Sequence, residues 1–319
     1  MQPAPVHPPV RIGTRASKLA LTQARWVQAR VAQALGASVA EAEQVAPLVA
    51  ITTTGDRVQD RRLLEIGGKQ LFTKEIETAL LEGAVDLAVH SMKDVAAEQP
   101  PGLAIAAIPE REDSRDVLIS RSHASLTALP PGARIGTASL RRQAQLLRLR
   151  PDLAVVMMRG NVDTRLRKLD DGEADAIVMA MAGLKRLGLE GHVVEAFDAS
   201  AMPTAPGQGA LALQTRATDA NAVWLKTLNH TPSALTVAAE RGALEALEGS
   251  CRTAMGAHAV LDGDRLTLIV EALSADGRDR WRREAEAVLG VDPMAEARAV
   301  GLALGGEIRA EAGDRLMVG

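Results

Sequence analysis

The chain has few of the residues from which aromatic binding surfaces are made. It contains no tyrosine, 2 phenylalanines and 3 tryptophans among 319 residues. Proteins that hold single-stranded nucleic acids stack the bases on aromatic side chains, and proteins that hold duplexes use a basic excess to displace counterions. The formal net charge is −3, so the basic excess is missing as well. We therefore expect no nucleic-acid partner.

Cysteine is nearly absent, and long apolar runs are absent. Cys251 is the only cysteine, which excludes an intrachain disulfide and any multi-cysteine metal site and fits a reducing compartment. The 6 histidines are scattered without metal-ligand spacing, so we expect no metal. No apolar segment approaches the ~20 residues of a membrane span, and the start, MQPAPVHPPVRIG, lacks the charged and apolar regions of a signal peptide. We expect a cytoplasmic protein without a membrane partner.

What the chain does contain is enough apolar sequence for two or three folded domains. Hydrophobic residues make up 47% and charged residues 24%, which is typical of globular proteins. Two segments echo each other, because RIGT followed by a helical pattern begins at Arg11 and again at Arg134. A second echo relates residues 83–92 to residues 172–181. Two lobes with a common plan follow from these echoes.

The hydrophobic periodicity predicts alternating strands and helices. Strand-like runs lie at 46–52, 84–90, 103–108, 116–119, 153–158, 175–180 and 209–213, and helical stretches lie near 16–35, 71–82, 139–150, 161–170 and 219–228. Such alternation is typical of α/β folds with mainly parallel sheets. After residue 230 a helix near 233–247 is followed by strands with hairpin signals at Asp262-Gly263 and Asp276-Gly277, then by a helix from about 293. This part predicts a smaller antiparallel α+β domain.

Arginine outnumbers lysine by 30 to 7, and its placement suggests anion binding. Residues 134–168 include eight arginines and one lysine but only two aspartates. A solvated basic helix face explains part of this excess, namely Arg148, Arg150 and Arg167. Four others fall within a turn of predicted helix N-termini, where backbone amides also favour anions. They are Arg141, Arg142, Arg159 and Arg165.

Three further segments have both a structural and a functional interpretation. The turn from Thr14 to Ser17 could simply cap a helix, but its recurrence at Thr137-Ala138-Ser139 favours anion binding. Asp94 could cap the next element, or it could pass protons and stabilise positive charge from the end of a strand. Cys251 could be a small buried hydrophobe, yet its polar neighbours and Arg252 favour an ionised, nucleophilic thiol.

Taken together, these segments resemble the porphobilinogen deaminase (hydroxymethylbilane synthase) family. The matching stretches run in family order through nearly the whole chain: GTRASKLALTQ, TTTGD, GGKQLFTKEIE, VDLAVHSMKD, REDSRD, GTASLRRQ, RGNVDTRLRKL, AGLKRLGL, PGQGALAL and LEGSC. The resemblance implies two lobes like those of periplasmic binding proteins and a third domain that carries the cysteine. Residues 10–109 with 208–228 would form the first lobe, 110–207 the second, and 229–319 the third domain.

The resemblance also implies the chemistry and the residues that perform it. Enzymes of this family extend a dipyrromethane cofactor, attached to a cysteine by a thioether, with four porphobilinogen units. Cys251 would be the attachment site and Asp94 the catalytic carboxylate, in an enzyme expected to act as a monomer. The residues expected to bind cofactor and substrate are Arg15, Ser17, Lys93, Thr137, Ser139, Arg141, Arg142, Arg159, Gly160, Asn161, Arg165, Arg186 and Gln208.

The loop 57–70 is expected to be a lid, and Asp56, Lys69 and Phe72 are its candidate binding residues. This loop departs from the family pattern at Glu65 and Gln70, which leaves its binding role open. Two other functions compete with the enzyme. A binding protein that holds a small carboxylate would have an export signal and no use for Cys251, and a polyanion-binding regulator is disfavoured by the net charge and by the missing DNA-binding motif.

Overall fold

The computed structural model describes residues 8–57, 69–247 and 253–316. Within these residues the chain forms two compact units. The first unit contains residues 8–57, 69–111 and 210–234, and the second contains 112–209, 235–247 and 253–316. The chain enters the second unit after Arg111, returns to the first after Gly209, and leaves it again after Ala234. The second and third predicted domains both fall in the second unit, and the three-domain division stays a prediction.

The secondary structure alternates as the periodicity predicts. The strands are β1 (Ile12–Arg15), β2 (Leu48–Ile51), β3 (Leu87–Ser91), β4 (Leu103–Ala107), β5 (Asp116–Ser120), β6 (Arg134–Gly136), β7 (Ala154–Val156), β8 (Ala176–Ala180), β9 (Glu195–Ala196), β10 (Leu211–Arg216), β11 (Ala254–Asp262), β12 (Arg265–Leu273) and β13 (Arg280–Val288). The α-helices are α1 (Lys18–Ala34), α2 (Ala42–Val45), α3 (Thr54–Arg57), α4 (Lys74–Leu81), α5 (Leu140–Leu149), α6 (Val162–Asp170), α7 (Met181–Leu187), α8 (Val223–Lys226), α9 (Thr231–Ala246) and α10 (Pro293–Ala312). Short 3₁₀ turns include Lys69–Phe72 and Met92–Asp94.

The first unit is built on one mixed five-stranded sheet of order β2-β1-β3-β10-β4. Strand β1 runs parallel to β2 and β3, whereas β10 runs antiparallel to β3 and β4. Helix α1 covers the sheet because its apolar residues recur at helical spacing, with Ala24, Val27 and Val31 buried on one face. They pack in one core with Ile12 and Leu87 of the sheet.

The second unit contains a sheet with the same plan. Its order is β7-β6-β8-β5-β9, with β6 parallel to β7 and β8, and β5 antiparallel to β8 and β9. In each sheet the fourth strand forms just after the chain has crossed from the other unit. Along the sequence, β5 comes after residues of the first unit, and β10 comes after residues of the second. The predicted α/β class with two similar lobes is confirmed, and both sheets are mixed because this fourth strand is antiparallel.

The remainder of the second unit is the expected antiparallel α+β part. Strands β11, β12 and β13 form a three-stranded antiparallel sheet with turns at both predicted hairpins. Helices α9 and α10 meet through glycine, since a Cβ added to Gly301 would lie 1.9 Å from the backbone oxygen of Ala239, and one added to Gly242 would lie 2.3 Å from that of Arg298. Only glycine allows backbones to approach this closely.

One predicted helix is much shorter than expected. The pattern over 219–228 predicts a helix, but α8 covers only Val223–Lys226. Before it, Asp219 accepts a hydrogen bond from Arg216 Nε (2.7 Å) and its backbone oxygen closes a turn with Ala222. After it, the Asn229 side chain accepts from the backbone of Ile108 (2.9 Å). Polar side chains thus end the helix at both sides.

None of the helices in the described residues has the length and hydropathy of a membrane span.

Candidate functional site

Asp94 lies where the first sheet ends. Strand β3 leads directly into the 3₁₀ turn Met92–Asp94, whose Met92 is buried and donates its backbone N–H to Ala210. The carboxylate of Asp94 is half-buried, and it forms no hydrogen bond or ion pair with any described residue. Lys93 lies in the same turn. A carboxylate fixed by a buried neighbour but left without a partner is available to a ligand.

Arg15 lies at the end of β1, and Asp56 and Phe72 hold its guanidinium. Its Nε donates to the Asp56 carboxylate (3.2 Å to Oδ1), and its Nη2 forms an ion pair with the same group. The guanidinium carbon lies 4.2 Å from the centre of the Phe72 ring. The pKa of Asp56 stays below its ordinary value, because hydrogen bonds and charge from Arg15 and hydrogen bonds from Thr53 outweigh the opposing effect of burial.

The serine and threonine hydroxyls of the candidate set lie at helix N-termini. Ser17 caps α1 by accepting from the backbone of Ala20 (3.4 Å), and Ser139 caps α5 by accepting from that of Arg142 (3.4 Å). Thr137 is buried and accepts from the backbone N–H of Ser139 (3.1 Å). The structural interpretation of these turns is therefore correct for their side chains. Their role in binding stays a prediction.

Arg141 and Arg142 converge on a buried carboxylate that the sequence interpretation missed. Asp116 begins β5 and accepts from Arg141 Nη1 (2.7 Å) and Arg142 Nη2 (2.6 Å). Burial raises the pKa of Asp116, but the charges and hydrogen bonds of both arginines outweigh burial and hold the pKa below its usual range. The acid at the start of an apolar run was the signal that could have revealed it.

The members of the Asp116 network also bind neighbouring side chains and backbone groups. Arg141 Nη1 also donates to Gln145 and to the backbone of Pro203. The buried Gln208 donates to the Asp116 carboxylate (2.8 Å) and to the backbone of Ser114 (2.7 Å). Arg186, whose pKa burial lowers to about 10, donates to the Gly209 oxygen (2.7 Å). These contacts orient the loop before β10.

Arg159 and Arg165 differ from the residues of this network because neither has a carboxylate partner. Neither forms an ion pair with any described residue, and the buried Nη1 of Arg159 has no acceptor among them. The pKa of Arg165 falls to about 10, because the group is buried and because Arg142 and Arg159 add repulsion. A cluster of partly buried cations without a carboxylate partner among the described residues is suited to binding anions, and its role in binding stays a prediction.

The turn before α6 brings this cluster together. Asn161 caps α6 by accepting from the backbone of Thr164 (2.9 Å). Gly160 has a φ of +122°, and an added Cβ would lie 2.6 Å from the Thr164 side chain. Its backbone oxygen accepts from Arg165 Nε (2.9 Å). Glycine is therefore required where the chain turns between the two arginines.

A buried polar network includes His90 of β3, the strand that leads to Asp94. His90 Nε2 lies 3.1 Å from Gln214 Oε1, and the Gln214 amide nitrogen lies 3.0 Å from Gln99 Oε1 and 3.3 Å from Glu77 Oε1. Burial lowers the pKa of His90 to about 4. His90 is therefore neutral and donates from Nε2. The sequence interpretation did not single out this network.

Several predicted residues lie outside the described part of the chain. They are Cys251 and Glu65, together with the side chains of Lys69 and Gln70. Their expected roles stay predictions, as does the lid. Among the described residues, no three His, Cys, Asp or Glu side chains come together as metal ligands.

The described residues thus include a carboxylate without a partner, Asp94, in the first unit and two cations without a carboxylate partner, Arg159 and Arg165, in the second, in a protein of the α/β class. The comparisons with known proteins identify its family. Residues 10–223 match the family model "Porphobilinogen deaminase, dipyromethane cofactor binding domain", and residues 234–310 match "Porphobilinogen deaminase, C-terminal domain". The chain belongs to the porphobilinogen deaminase family.

Curated relatives agree over nearly the full length. The chain is 61% identical over 318 residues to the porphobilinogen deaminase of Caulobacter vibrioides strain NA1000, covering 98% of both chains. It is 60% identical over 320 residues to that of Phenylobacterium zucineum, covering 98% of this chain and 100% of the relative. Among solved structures it is similar to a periplasmic substrate-binding protein of an ABC transporter from Coxiella burnetii, with 18% identity, a TM-score of 0.42, and coverage of 73% of this chain and 96% of that one.

Proposed function

We propose that this chain catalyses the hydroxymethylbilane synthase reaction. Four porphobilinogen molecules are joined in turn to a cysteine-linked dipyrromethane primer, each with loss of ammonia, and hydrolysis releases the linear tetrapyrrole. The observation that carries the proposal is the pair Arg159 and Arg165. These partly buried cations have no carboxylate partner among the described residues, and every pyrrole unit of this reaction brings two carboxylates.

The donors present fit the cofactor. Arg159 offers a buried N–H group without an acceptor among the described residues, and Arg142 is held beside Arg165 by Asp116. Arginine suits this task because its planar fork binds a carboxylate through two parallel hydrogen bonds. When bound, the cofactor would supply a primer whose terminal pyrrole carbon bonds the first substrate, and each later substrate would bond to the terminal pyrrole of the unit added before it. Ser139 and Asn161, at the N-termini of α5 and α6, favour the same negative charge.

The remaining candidates divide by how their donors are used. Arg15 and Lys93 of the first unit, like Ser17 at the start of α1, are proposed to bind further carboxylates. Thr137, Arg141, Arg186 and Gln208 are proposed to support binding mainly through position, because contacts within the protein already occupy donors or acceptors of each. Gly160 shapes the turn that carries Arg159.

Asp94 is proposed to manage the charge and the protons of each extension. Loss of ammonia leaves positive charge on the pyrrole ring of the substrate. A fixed carboxylate stabilises such charge electrostatically and can accept the proton that the new bond releases. The absence of a partner for Asp94 among the described residues supports this role.

Intact mass spectrometry of the purified protein tests the proposal. Wild type should carry an added mass equal to two pyrrole units, and Cys251→Ser should lack it. The same wild-type sample should convert porphobilinogen to hydroxymethylbilane. An active wild type of unmodified mass would contradict the attachment, and an inactive wild type that carries the adduct would contradict the reaction.

A second measurement tests the role of Asp94. Asp94→Ala should keep the cofactor mass and substrate binding but lose most of its turnover, because no other carboxylate replaces the lost charge. Asp94→Asn is the matched control, since it keeps the shape and hydrogen-bonding capacity of the side chain but not its charge. Undiminished turnover in both variants would remove Asp94 from the mechanism.

We also propose that the protein acts as a monomer in the cytoplasm. A single cysteine supports a reducing compartment. Light scattering on the eluting protein should give the mass of one chain, 33.6 kDa. A mass of two chains at working concentration would contradict the monomer.

A further inference from the structure

We propose that Asp56 and Phe72 are positioning residues that hold the Arg15 guanidinium in one orientation and leave one edge of it open for a single carboxylate of the substrate or product. This inference rests on the proposed function. It gives Asp56 and Phe72 a role beside the expected lid, which stays a prediction.

Asp56 uses some of the N–H donors of Arg15 and leaves others open. A guanidinium carries five N–H groups, and two of its edges, Nε–Nη2 and Nη1–Nη2, present two parallel N–H groups that can bind one carboxylate each. Asp56 takes the edge formed by Nε and Nη2. Among the described residues Nη1 has no acceptor, so the edge between Nη1 and Nη2 is open. The side chain is 24% exposed, which leaves this edge accessible.

Hydrogen bonds from Thr53 hold the Asp56 carboxylate in place. Its Oδ2 accepts from the Thr53 hydroxyl (2.8 Å) and from the Thr53 backbone (3.3 Å). Thr53 is fully buried. The next residue, Thr54, is fixed in turn by Glu75, which accepts from its backbone N–H (2.8 Å). The carboxylate is therefore anchored to the backbone, and the arginine is oriented by it.

Phe72 covers one face of the Arg15 guanidinium. The Phe72 ring lies under Arg15 at 4.2 Å, a distance at which a cation and an aromatic face attract each other. Phe72 also packs directly on Gly55, where an added Cβ would lie 2.3 Å from the ring. Gly55 and Asp56 both belong to α3. One short helix thus fixes both the edge and the face of Arg15.

The position of this assembly explains what the orientation achieves. Arg15 ends β1, and β1 pairs in parallel with β3, the strand that leads into the turn of Asp94. In parallel strands the carboxyl ends lie at the same edge of the sheet. The charge of Arg15 also acts on His90 of β3, as does that of Asp94. A carboxylate bound on the open edge of Arg15 therefore lies on the same side of the first unit as Asp94.

Steady-state kinetics with porphobilinogen tests the inference on holoenzyme variants. Asp56→Asn should raise KM about 10-fold and change kcat by less than about 2-fold, because an unoriented arginine loses binding that substrate and transition state share. Asp56→Glu should recover part of the loss. In an Arg15→Lys background, which lacks the fork, Asp56→Asn should have no further effect on KM.

Asp86→Asn is the matched control. Asp86 holds Arg11 in the same unit by the same two-point contact, at 2.8 Å to Nε and 2.9 Å to Nη2, but this pair does not involve Arg15. Its KM should equal that of wild type. An equal rise of KM in Asp86→Asn, or an effect of Asp56→Asn that persists in Arg15→Lys, would show a general structural loss and overturn the inference.

Phe72→Leu keeps the inference testable if Asp56→Asn does not fold. It removes the aromatic face while keeping apolar contact with Gly55, and it should raise KM about 3-fold. That rise should also vanish in Arg15→Lys. A wild-type KM in Phe72→Leu and in any folded Asp56 variant, measured beside an active wild type, would overturn the inference, whereas an inactive wild type would overturn the proposed function itself.

Discussion

The two sheets have the same strand order, yet the buried polar groups beside them differ. In the first unit, the echo places His90 in β3, where it joins a network with the amides of Gln214 and Gln99 and the carboxyl group of Glu77. In the second unit, the corresponding position of β8 is the buried Met179. The second unit instead buries an ionic network, in which Asp116 binds Arg141 and Arg142.

The difference extends to the arginines that follow the echoed RIGT segments. Arg15 and its partner Asp56 keep 24% and 20% of their side-chain surface exposed. Arg141 and Arg142 keep 5% and 7%, and Asp116 keeps none. One repeated plan thus carries a half-open ion pair in the first unit and a closed one in the second. The second unit keeps Arg159 and Arg165 as its open cations.

The largest expected effect comes from breaking the closed pair. Asp116→Asn leaves two buried guanidinium groups without their counter-charge, and the loss of one partner of a buried ion pair costs about 3–5 kcal/mol. Asp56→Asn breaks a pair that water partly screens and should cost about 1 kcal/mol or less. Denaturant unfolding measures both variants. Equal losses of unfolding free energy would show that the two pairs do not differ in the way that their burial indicates.

The next largest effect is a pH dependence of the unfolding free energy that arises from His90 in the first unit. The pKa of His90 is about 4 in the folded protein and about 6.5 when unfolded. As the pH falls from 6.5 to 4, the unfolded chain takes up the proton first, so stability is lost over this window. The loss amounts to about 3 kcal/mol, at about 1.4 kcal/mol for each pKa unit. The neutral form is favoured above this window, where the contribution is fully present.

Unfolding free energies of wild type and His90→Gln between pH 7 and pH 4 check this prediction. The variant should be less stable at pH 7 but should show a shallower decline. His123→Gln is the control, because it removes a histidine of the second unit and leaves this network intact. A decline of the same slope in wild type and His90→Gln would mean that other groups cause the acid sensitivity.

The fold was predictable because periodicity reports local structure. Almost every predicted strand and helix is present, since a buried strand or an amphipathic helix must repeat its apolar residues at a fixed spacing. The sheet pairing was less accessible. Strands β5 and β10 are antiparallel because the chain has passed through the other unit before it forms them, and no local pattern encodes that passage.

The candidate site was predictable by residue type but not by contact. Charge density pointed to Arg141 and Arg142, yet only the structure shows that Asp116 occupies them. The place of Asp56 in a lid stays a prediction, and no sequence pattern revealed that it contacts an arginine 41 residues earlier in the sequence. Such pairings depend on which strand ends meet at a sheet edge. The sequence spacing of the partners contains no trace of them.

The smallest expected effect concerns the two serine caps, where the units should behave alike. Ser17 and Ser139 each accept one backbone hydrogen bond at 3.4 Å, and removing such a cap costs about 1 kcal/mol. Ser17→Ala and Ser139→Ala should therefore lower the unfolding free energy by similar amounts, and Ser→Asp at either position should restore most of it, because a carboxylate also caps. The kinetics separate capping from binding. If the serines only cap, KM stays at the wild-type value in both alanine variants, whereas a rise of KM in one of them alone would assign a carboxylate contact to that serine and make the two turns functionally different.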